Sequence, residues 1–229
     1  MYCAIFIRHG HSEWNLSNRF TGWTDIALTD YGLNEAADAG RRLAAEGFVF
    51  DEAHASVLQR TQQTIASLLA AAEHSEIPLY TSWRLNERHY GQLQGMNKTD
   101  IEVAWGEKAS RRWWRGYDDP PPPVDYDDER HPRFDTLYSA LPPEQLPNTE
   151  SLANCQQRLL PYWFESLRPR IQSGRRLIVA SHGNALRGLL MHLEGIDPIG
   201  VEKIEIPPGV PMVCHFDARM RLLEREWLM

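Results

Sequence analysis

Two short runs carry the residues best suited to chemistry. Arg8-His9-Gly10-His11 ends the apolar stretch 2–7, and Ser181-His182-Gly183-Asn184 ends the apolar stretch 177–180. A strand that stops on an imidazole followed by glycine can turn tightly and present backbone N–H groups to an anion. One such turn is an ordinary place for a structural histidine, but two in one chain point to a shared crevice beyond the strand ends. Two chemistries compete for the first run. His9 and His11 have the spacing of a metal-binding pair, imidazole being the commonest metal ligand. Alternatively, Arg8 and His9 open a phosphate site with a histidine nucleophile. Arg8 favours phosphate, because a guanidinium stays charged and repels a dication. A metal hydrolase would also need more carboxylate or histidine ligands on other strand ends.

Further cations fall at comparable places. Arg60 opens the helical run 58–72 directly after an apolar stretch. A cation there opposes the helix dipole, and a bound anion would relieve the conflict. Glu87, Arg88, His89 and Tyr90, with Lys98 soon after, follow the stretch 78–87. A glutamate among cations near two histidines is a candidate proton donor and acceptor. Its plain alternative is an ion pair with Arg84 or Arg88.

Such side chains need a sheet to aim them. Residues 2–7 read as a strand, and 28–48 as a helix capped by Thr29, with Leu33, Ala36, Ala37, Gly40 and Leu43 on one face and Gly47 at its end. A second strand over 50–57, an amphipathic helix over 58–72 and a third strand over 78–87 follow. Residues 150–171 read as one long helix with a kink at Pro161. Residues 175–195 read as strand, turn and helix, and 210–216 with 221–228 as a closing hairpin. Strands alternating with helices predict an α/β fold, its sheet mostly parallel with helices on both faces. Residues 97–148 break the pattern: two short helical stretches lead into a run rich in proline and aspartate. That texture predicts an insertion lying over the domain and the active site, with Pro120 to Pro123 as a polyproline spacer.

With 229 residues, 1–229 fits a single domain with a sizeable insertion. A net charge of −7 argues against a nucleic-acid partner. No apolar run approaches the roughly 18 residues of a membrane span, so no membrane partner is expected. The first apolar run lacks a basic flank, unlike a signal peptide. Cys3, Cys155 and Cys214 form no Cys-x-x-Cys pair and read as buried or half-buried thiols in a reducing, cytoplasmic compartment.

The runs RHGHSEWN, NRFTGWTDIALTDYG, SVLQRTQQT, NERHYGQLQGMNK and SHGNALR together resemble the cofactor-dependent phosphoglycerate mutases of the histidine phosphatase superfamily, over essentially the whole chain. Arg-His-Gly marks only the superfamily, which includes plain phosphatases; NERHYGQLQGMNK and RFTGWTD are more specific to the mutases. The resemblance implies a three-layer α/β/α sandwich and interconversion of 3-phosphoglycerate and 2-phosphoglycerate primed by 2,3-bisphosphoglycerate without a metal; a homodimer is expected. It makes His9 the phosphorylated nucleophile, Glu87 the general acid and base, and Arg8, Arg60 and His182 the phosphoryl pocket. It assigns substrate binding to Gly10, His11, Ser12, Glu13, Trp14, Asn15, Thr21, Gly22, Arg88, His89, Tyr90, Lys98, Trp114, Arg115, Gly183 and Asn184. Two departures stand out. His11 occupies a place usually acidic or amide, and Trp114 replaces the first of two paired arginines, leaving Arg115, with Arg111 or Arg112 one turn earlier to stand in. The alternatives are a phosphatase of a small phosphomonoester and a non-catalytic anion-binding module.

Overall fold

The computed structural model describes residues 1–229. Its centre is a six-stranded sheet in the order β3-β2-β4-β1-β5-β6. The strands are β1 (Tyr2–Arg8), β2 (Glu52–Ala55), β3 (Leu79–Thr81), β4 (Leu177–Ser181), β5 (Pro211–Phe216) and β6 (Leu222–Trp227). β1, β4, β2 and β3 pair in parallel, while β5 runs antiparallel to both β1 and β6. Alternation along β1 divides the core. Ala4 and Phe6 join Leu159, Trp163, Leu186 and Leu190 on one face. Ile5 and Ile7 join Ala39, Leu43, Ile65 and Leu68 on the other. The result is a three-layer α/β/α sandwich with a mostly parallel sheet.

The flanking helices follow from local signals. Thr29 caps α2 (Asp30–Ala45) by accepting from the Gly32 N–H at 3.0 Å, and Ala36, Ala39, Gly40 and Leu43 form its buried face. Helix α3 (Gln59–Ala71) packs beside it on the same sheet face. The other layer holds α6 (Leu152–Tyr162), α7 (Arg168–Gln172) and α8 (Gly183–Glu194). The short α1 (Glu13–Leu16), α4 (Lys98–Trp105), α5 (Glu107–Arg115) and α9 (Pro198–Val201) lie in the connections.

Three expectations need correction. The helix over 150–171 is interrupted by a π turn at Trp163–Leu167, between Pro161 and Pro169. Each proline removes an i→i−4 donor, and the wider turn accommodates the loss while burying Trp163 and Leu167. The third strand shrinks to Leu79–Thr81 because Ser82 accepts from the Arg84 N–H and starts a 3₁₀ turn at Trp83–Leu85. The proline run is a docked strip rather than a spacer: Pro122 O accepts from Gln92 N–H at 2.9 Å and Pro121 O from Thr149 Oγ1 at 2.8 Å. Ile101, Val124 and Tyr138 of the 97–148 stretch are buried. Tyr138 packs against Trp23 at a ring distance of 4.7 Å.

Candidate active site

The sheet order sets the site. Arg8 on β1 is level with Ser181 on the adjacent β4, so His9 and His182 leave the sheet side by side. Their rings stand edge to face with centroids 5.0 Å apart. Beyond β1 the chain passes to α2 on one face, and beyond β4 to α8 on the other, which opens a crevice where the connections diverge. Gly10 makes this possible. A Cβ there would lie 2.3 Å from Gly32 O, so only glycine lets the turn press against the start of α2.

His9 is 4 % exposed. Its Nδ1 lies 2.7 Å from Gly10 O, an acceptor only, so the ring proton sits on Nδ1 and the Nε2 lone pair is free. Burial, then Arg60 and Arg8, hold its pKa well below the usual imidazole value. The ring is neutral near pH 7, as a nucleophile must be. His182 is depressed in the same way, by burial first and then by Arg60 and His9. Its Nε2 lies 2.8 Å from Ser56 Oγ, which is itself 2.8 Å from Thr61 Oγ1. Ser56 donating to Nε2 puts the His182 proton on Nδ1.

Around the histidines the structure leaves buried donors unpaired. His182 Nδ1, Arg8 Nε and Arg60 Nε have no partner within the protein. Three other guanidinium nitrogens are fixed: Arg8 Nη1 donates to Ile206 O, and Arg60 Nη1 and Nη2 donate to Thr24 O and Gly22 O. Gly22 has φ +57°, and a Cβ there would strike the Gln94 side chain, so the carbonyl that anchors Arg60 needs glycine. The dipole conflict at Arg60 is already met in part by protein, because Asp25 Oδ1 accepts from the Gln59 N–H at 2.7 Å. What remains is a set of oriented donors suited to a tetrahedral anion.

Glu87 lines a cleft with Arg8 and Arg60, next to the buried histidines. Its carboxylate accepts from the Arg88 N–H at 2.7 Å and from the Asn184 N–H, at the start of α8, at 3.2 Å. Its carbonyl is held by Trp23 Nε1 at 2.7 Å and Arg158 Nη2 at 3.1 Å. Arg8, Arg19, Arg60, Lys98, Arg115 and Arg187 line the cleft against Glu87 and Glu205 alone, so it favours anions. Burial lowers Lys98 to about 8 and Arg187 to about 10.

Of the residues expected to bind substrate, Asn15, Thr21, Gly22, Tyr90, Lys98, Trp114, Arg115, Gly183 and Asn184 line this cleft. Gly10, His11, Ser12, Glu13, Trp14, Arg88 and His89 do not, and the buried His9 and His182 lie beneath its wall, next to Arg8, Arg60 and Gly183. His11 turns to Glu35 at 2.8 Å, Ser12 caps α1, and Trp14 packs on Gly95. Glu13 is exposed to solvent. Arg88 and His89 are fully buried: Arg88 braces Trp114 O at 2.7 Å, and His89 accepts from the Gly91 N–H. Neither Arg111 nor Arg112 replaces the missing arginine, since Arg112 pairs with Asp119 on the surface and Arg111 lies in an outer groove. Arg187 lies in the cleft instead, unexpected from the sequence although one helical turn beyond Gly183. Arg19, Phe20, Glu205 and Ile206 also escaped the sequence reading. No group of three or more His, Cys, Asp or Glu side chains is arranged to hold a metal ion.

A strand-end histidine among arginines, opposite a second histidine and a glutamate, defines a class of phosphoryl-transfer site. A family profile described as the histidine phosphatase superfamily (branch 1) matches residues 4–141 and 124–225. The chain belongs to that superfamily. Over 228 residues it is 46% identical to a 2,3-bisphosphoglycerate-dependent phosphoglycerate mutase of Nitratidesulfovibrio vulgaris, covering 100% of this chain and 92% of the relative. Among solved structures it is similar in fold to Bacillus stearothermophilus YhfR, with a TM-score of 0.72 and 21% identity over 96% of this chain and 93% of that one. A mycobacterial glucosyl-3-phosphoglycerate phosphatase complexed with VO3 also gives a TM-score of 0.72, at 18% identity over 99% of this chain and 97% of that one.

Proposed function

We propose that this chain is a 2,3-bisphosphoglycerate-dependent phosphoglycerate mutase, interconverting 3-phosphoglycerate and 2-phosphoglycerate through phospho-His9. The observation that carries the proposal is the free Nε2 of a neutral, buried His9 close to three unpaired buried donors, at the foot of a cleft lined by Arg8, Arg60 and Glu87. The full-length similarity to a mutase supports the choice of substrate. Bound bisphosphoglycerate supplies the phosphoryl group that primes the enzyme, and the unpaired donors fit such a group.

In this reading His9 Nε2 forms the P–N bond as the ester P–O bond breaks. Arg8, Arg60 and His182 take up the charge spread over the equatorial oxygens. Each charged hydrogen bond to them contributes about 1.5–3 kcal/mol. Glu87 gives a proton to the departing alkoxide and removes one from the hydroxyl that later attacks phospho-His9. Lys98, Arg115 and Arg187 hold the carboxylate side. Residues 97–148, which supply Lys98, Trp114 and Arg115, act as the cover that keeps water out. The proposal includes a cytoplasmic homodimer. The open edge of β3, with Leu79 and Tyr80 both exposed, is a surface that such pairing would protect.

Turnover of 3-phosphoglycerate, with and without bisphosphoglycerate and with EDTA present, tests the reading. Acid-labile phosphate must appear on the wild type and be absent from His9→Ala. Labelling of His9→Ala would overturn the nucleophile. Release of inorganic phosphate without isomerisation would instead establish a phosphatase, and neither labelling nor turnover a non-catalytic module.

A further inference from the structure

The position at which the sequence breaks the paired-arginine pattern has a role of its own. We infer that Trp114 is a positioning residue whose ring is a π platform, holding Lys98 and Arg115 in place as the cations that receive the carboxylate side of the substrate. The inference rests on the phosphoglycerate reading of the cleft. Lys98 Nζ stands 4.8 Å from the Trp114 ring centroid and Arg115 Cζ 4.6 Å, so one indole serves two cations. Both distances lie within the range over which a cation is attracted by the ring quadrupole, for which indole is the best of the aromatic side chains.

The platform is itself fixed. The Trp114 carbonyl accepts from the buried guanidinium of Arg88 at 2.7 Å, and the residue is 39% exposed at the cleft rim. Lys98 is anchored at the start of α4, its N–H donating to Asn18 O, with the Phe20 ring at 5.8 Å. Its ammonium needs support. Burial destabilises the charged form most, Arg8 and Arg115 repel it, and Glu87 favours it. Arg115 already pairs with Glu205 at 2.8 Å, whereas the ring quadrupole stabilises the Lys98 ammonium without adding a second anion that would compete with the substrate. An arginine at position 114 would instead bring another cation to Lys98. Replacing Trp114 by arginine is therefore expected to weaken Lys98 as an anchor.

The test uses the full chain and the variants Trp114→Phe, Trp114→Leu and Trp114→Arg. Two readouts are followed across neutral to alkaline pH. One is KM and kcat for 3-phosphoglycerate. The other is the apparent pKa of Lys98, from the pH dependence of its acylation measured by mass spectrometry, with Lys108 and Lys203 as internal references. Trp114→Leu should raise KM about threefold to tenfold, with kcat changed less, and lower the Lys98 pKa. The rise in KM at alkaline pH then begins earlier. Trp114→Phe should recover most of both effects, whereas Trp114→Arg should lower the Lys98 pKa at least as far as leucine does. An unchanged Lys98 pKa in Trp114→Leu, or equal effects of leucine and phenylalanine, overturns the inference. Because acylation needs no turnover, a wild type inactive on 3-phosphoglycerate would refute the proposed function while Lys98 still decides the role of Trp114.

Discussion

Arg158→Lys tests the support behind Glu87. Arg158 is 8% exposed and forms a two-pronged pair with Glu150, Nε to Oε1 at 2.6 Å and Nη2 to Oε2 at 2.9 Å. Its remaining N–H groups reach Trp83 O at 3.1 Å, Arg84 O at 2.9 Å, Asn86 O at 3.2 Å and Glu87 O at 3.1 Å. Glu150 Oε2 in turn accepts from the His89 N–H. One guanidinium therefore ties down most of the segment that carries Glu87. Lysine keeps the charge but offers three donors from a single point, so it cannot span these acceptors. Losing two or more charge-assisted bonds, and leaving carbonyls buried without donors, should cost about 3–5 kcal/mol. That is a large part of the roughly 5–15 kcal/mol available to a folded domain. Urea denaturation followed by tryptophan fluorescence measures the loss. Below the transition, kcat should fall about tenfold to a hundredfold, because a displaced Glu87 no longer meets the hydroxyl in line. A stability loss under about 1 kcal/mol would refute the energetic reasoning. A wild-type kcat would show that Trp23 and the N–H groups of Arg88 and Asn184 hold Glu87 in place without Arg158.

Ser56→Ala frees one edge of the His182 ring and should lower kcat about tenfold to a hundredfold with little change in KM. Steady-state kinetics decide this, and an unchanged kcat would remove Ser56 from the orientation of His182. Arg187→Met keeps the apolar stem and removes the charge, so KM for 3-phosphoglycerate should rise about tenfold or more. A wild-type KM would place the substrate away from Arg187. Acid should destabilise the fold through its buried imidazoles. Burial lowers His54 to about 4, His89 to about 3, and His9 and His182 well below their unfolded value. Between the folded and unfolded values the unfolded chain binds more protons, so stability present above about pH 6.5 is lost as pH falls. Each group contributes up to about 1.4 kcal/mol per pH unit, and a flat urea midpoint between neutral pH and about pH 4 would contradict this.

The strand-end histidines were legible because apolar β runs and a following glycine are local signals, and parallel pairing then places them together. Direction was not legible. His11, Ser12, Glu13 and Trp14 adjoin the nucleophile in sequence, yet each side chain points by its own best contact, as His11 does toward Glu35 on α2. Arg88 and His89 flank Glu87 but face inward for the same reason. Arg187 could have been found from helical spacing after Gly183. Glu205 and Ile206 arrive on the connection after α9, where no periodicity marks them. Composition made Pro120 to Pro123 a spacer, but the strip is docked by backbone acceptors, Pro121 O and Pro122 O, which no composition reveals.

The sheet order also dictates when the site can exist. β1 is the first strand made, yet both its neighbours, β4 and β5, come from the last quarter of the chain. During synthesis β1 must wait, its N–H and C=O groups unpaired and its Ile5, Phe6 and Ile7 exposed, while more than a hundred and sixty residues emerge. Such distant closure is slow, and the waiting strand is open to mispairing with other nascent chains. β2 and β1 cannot be joined in one sheet until β4 slots between them, and that insertion is the event that sets His182 beside His9. An unfinished chain therefore holds the nucleophile without its pocket, and catalytic competence arrives with the closing of the sheet.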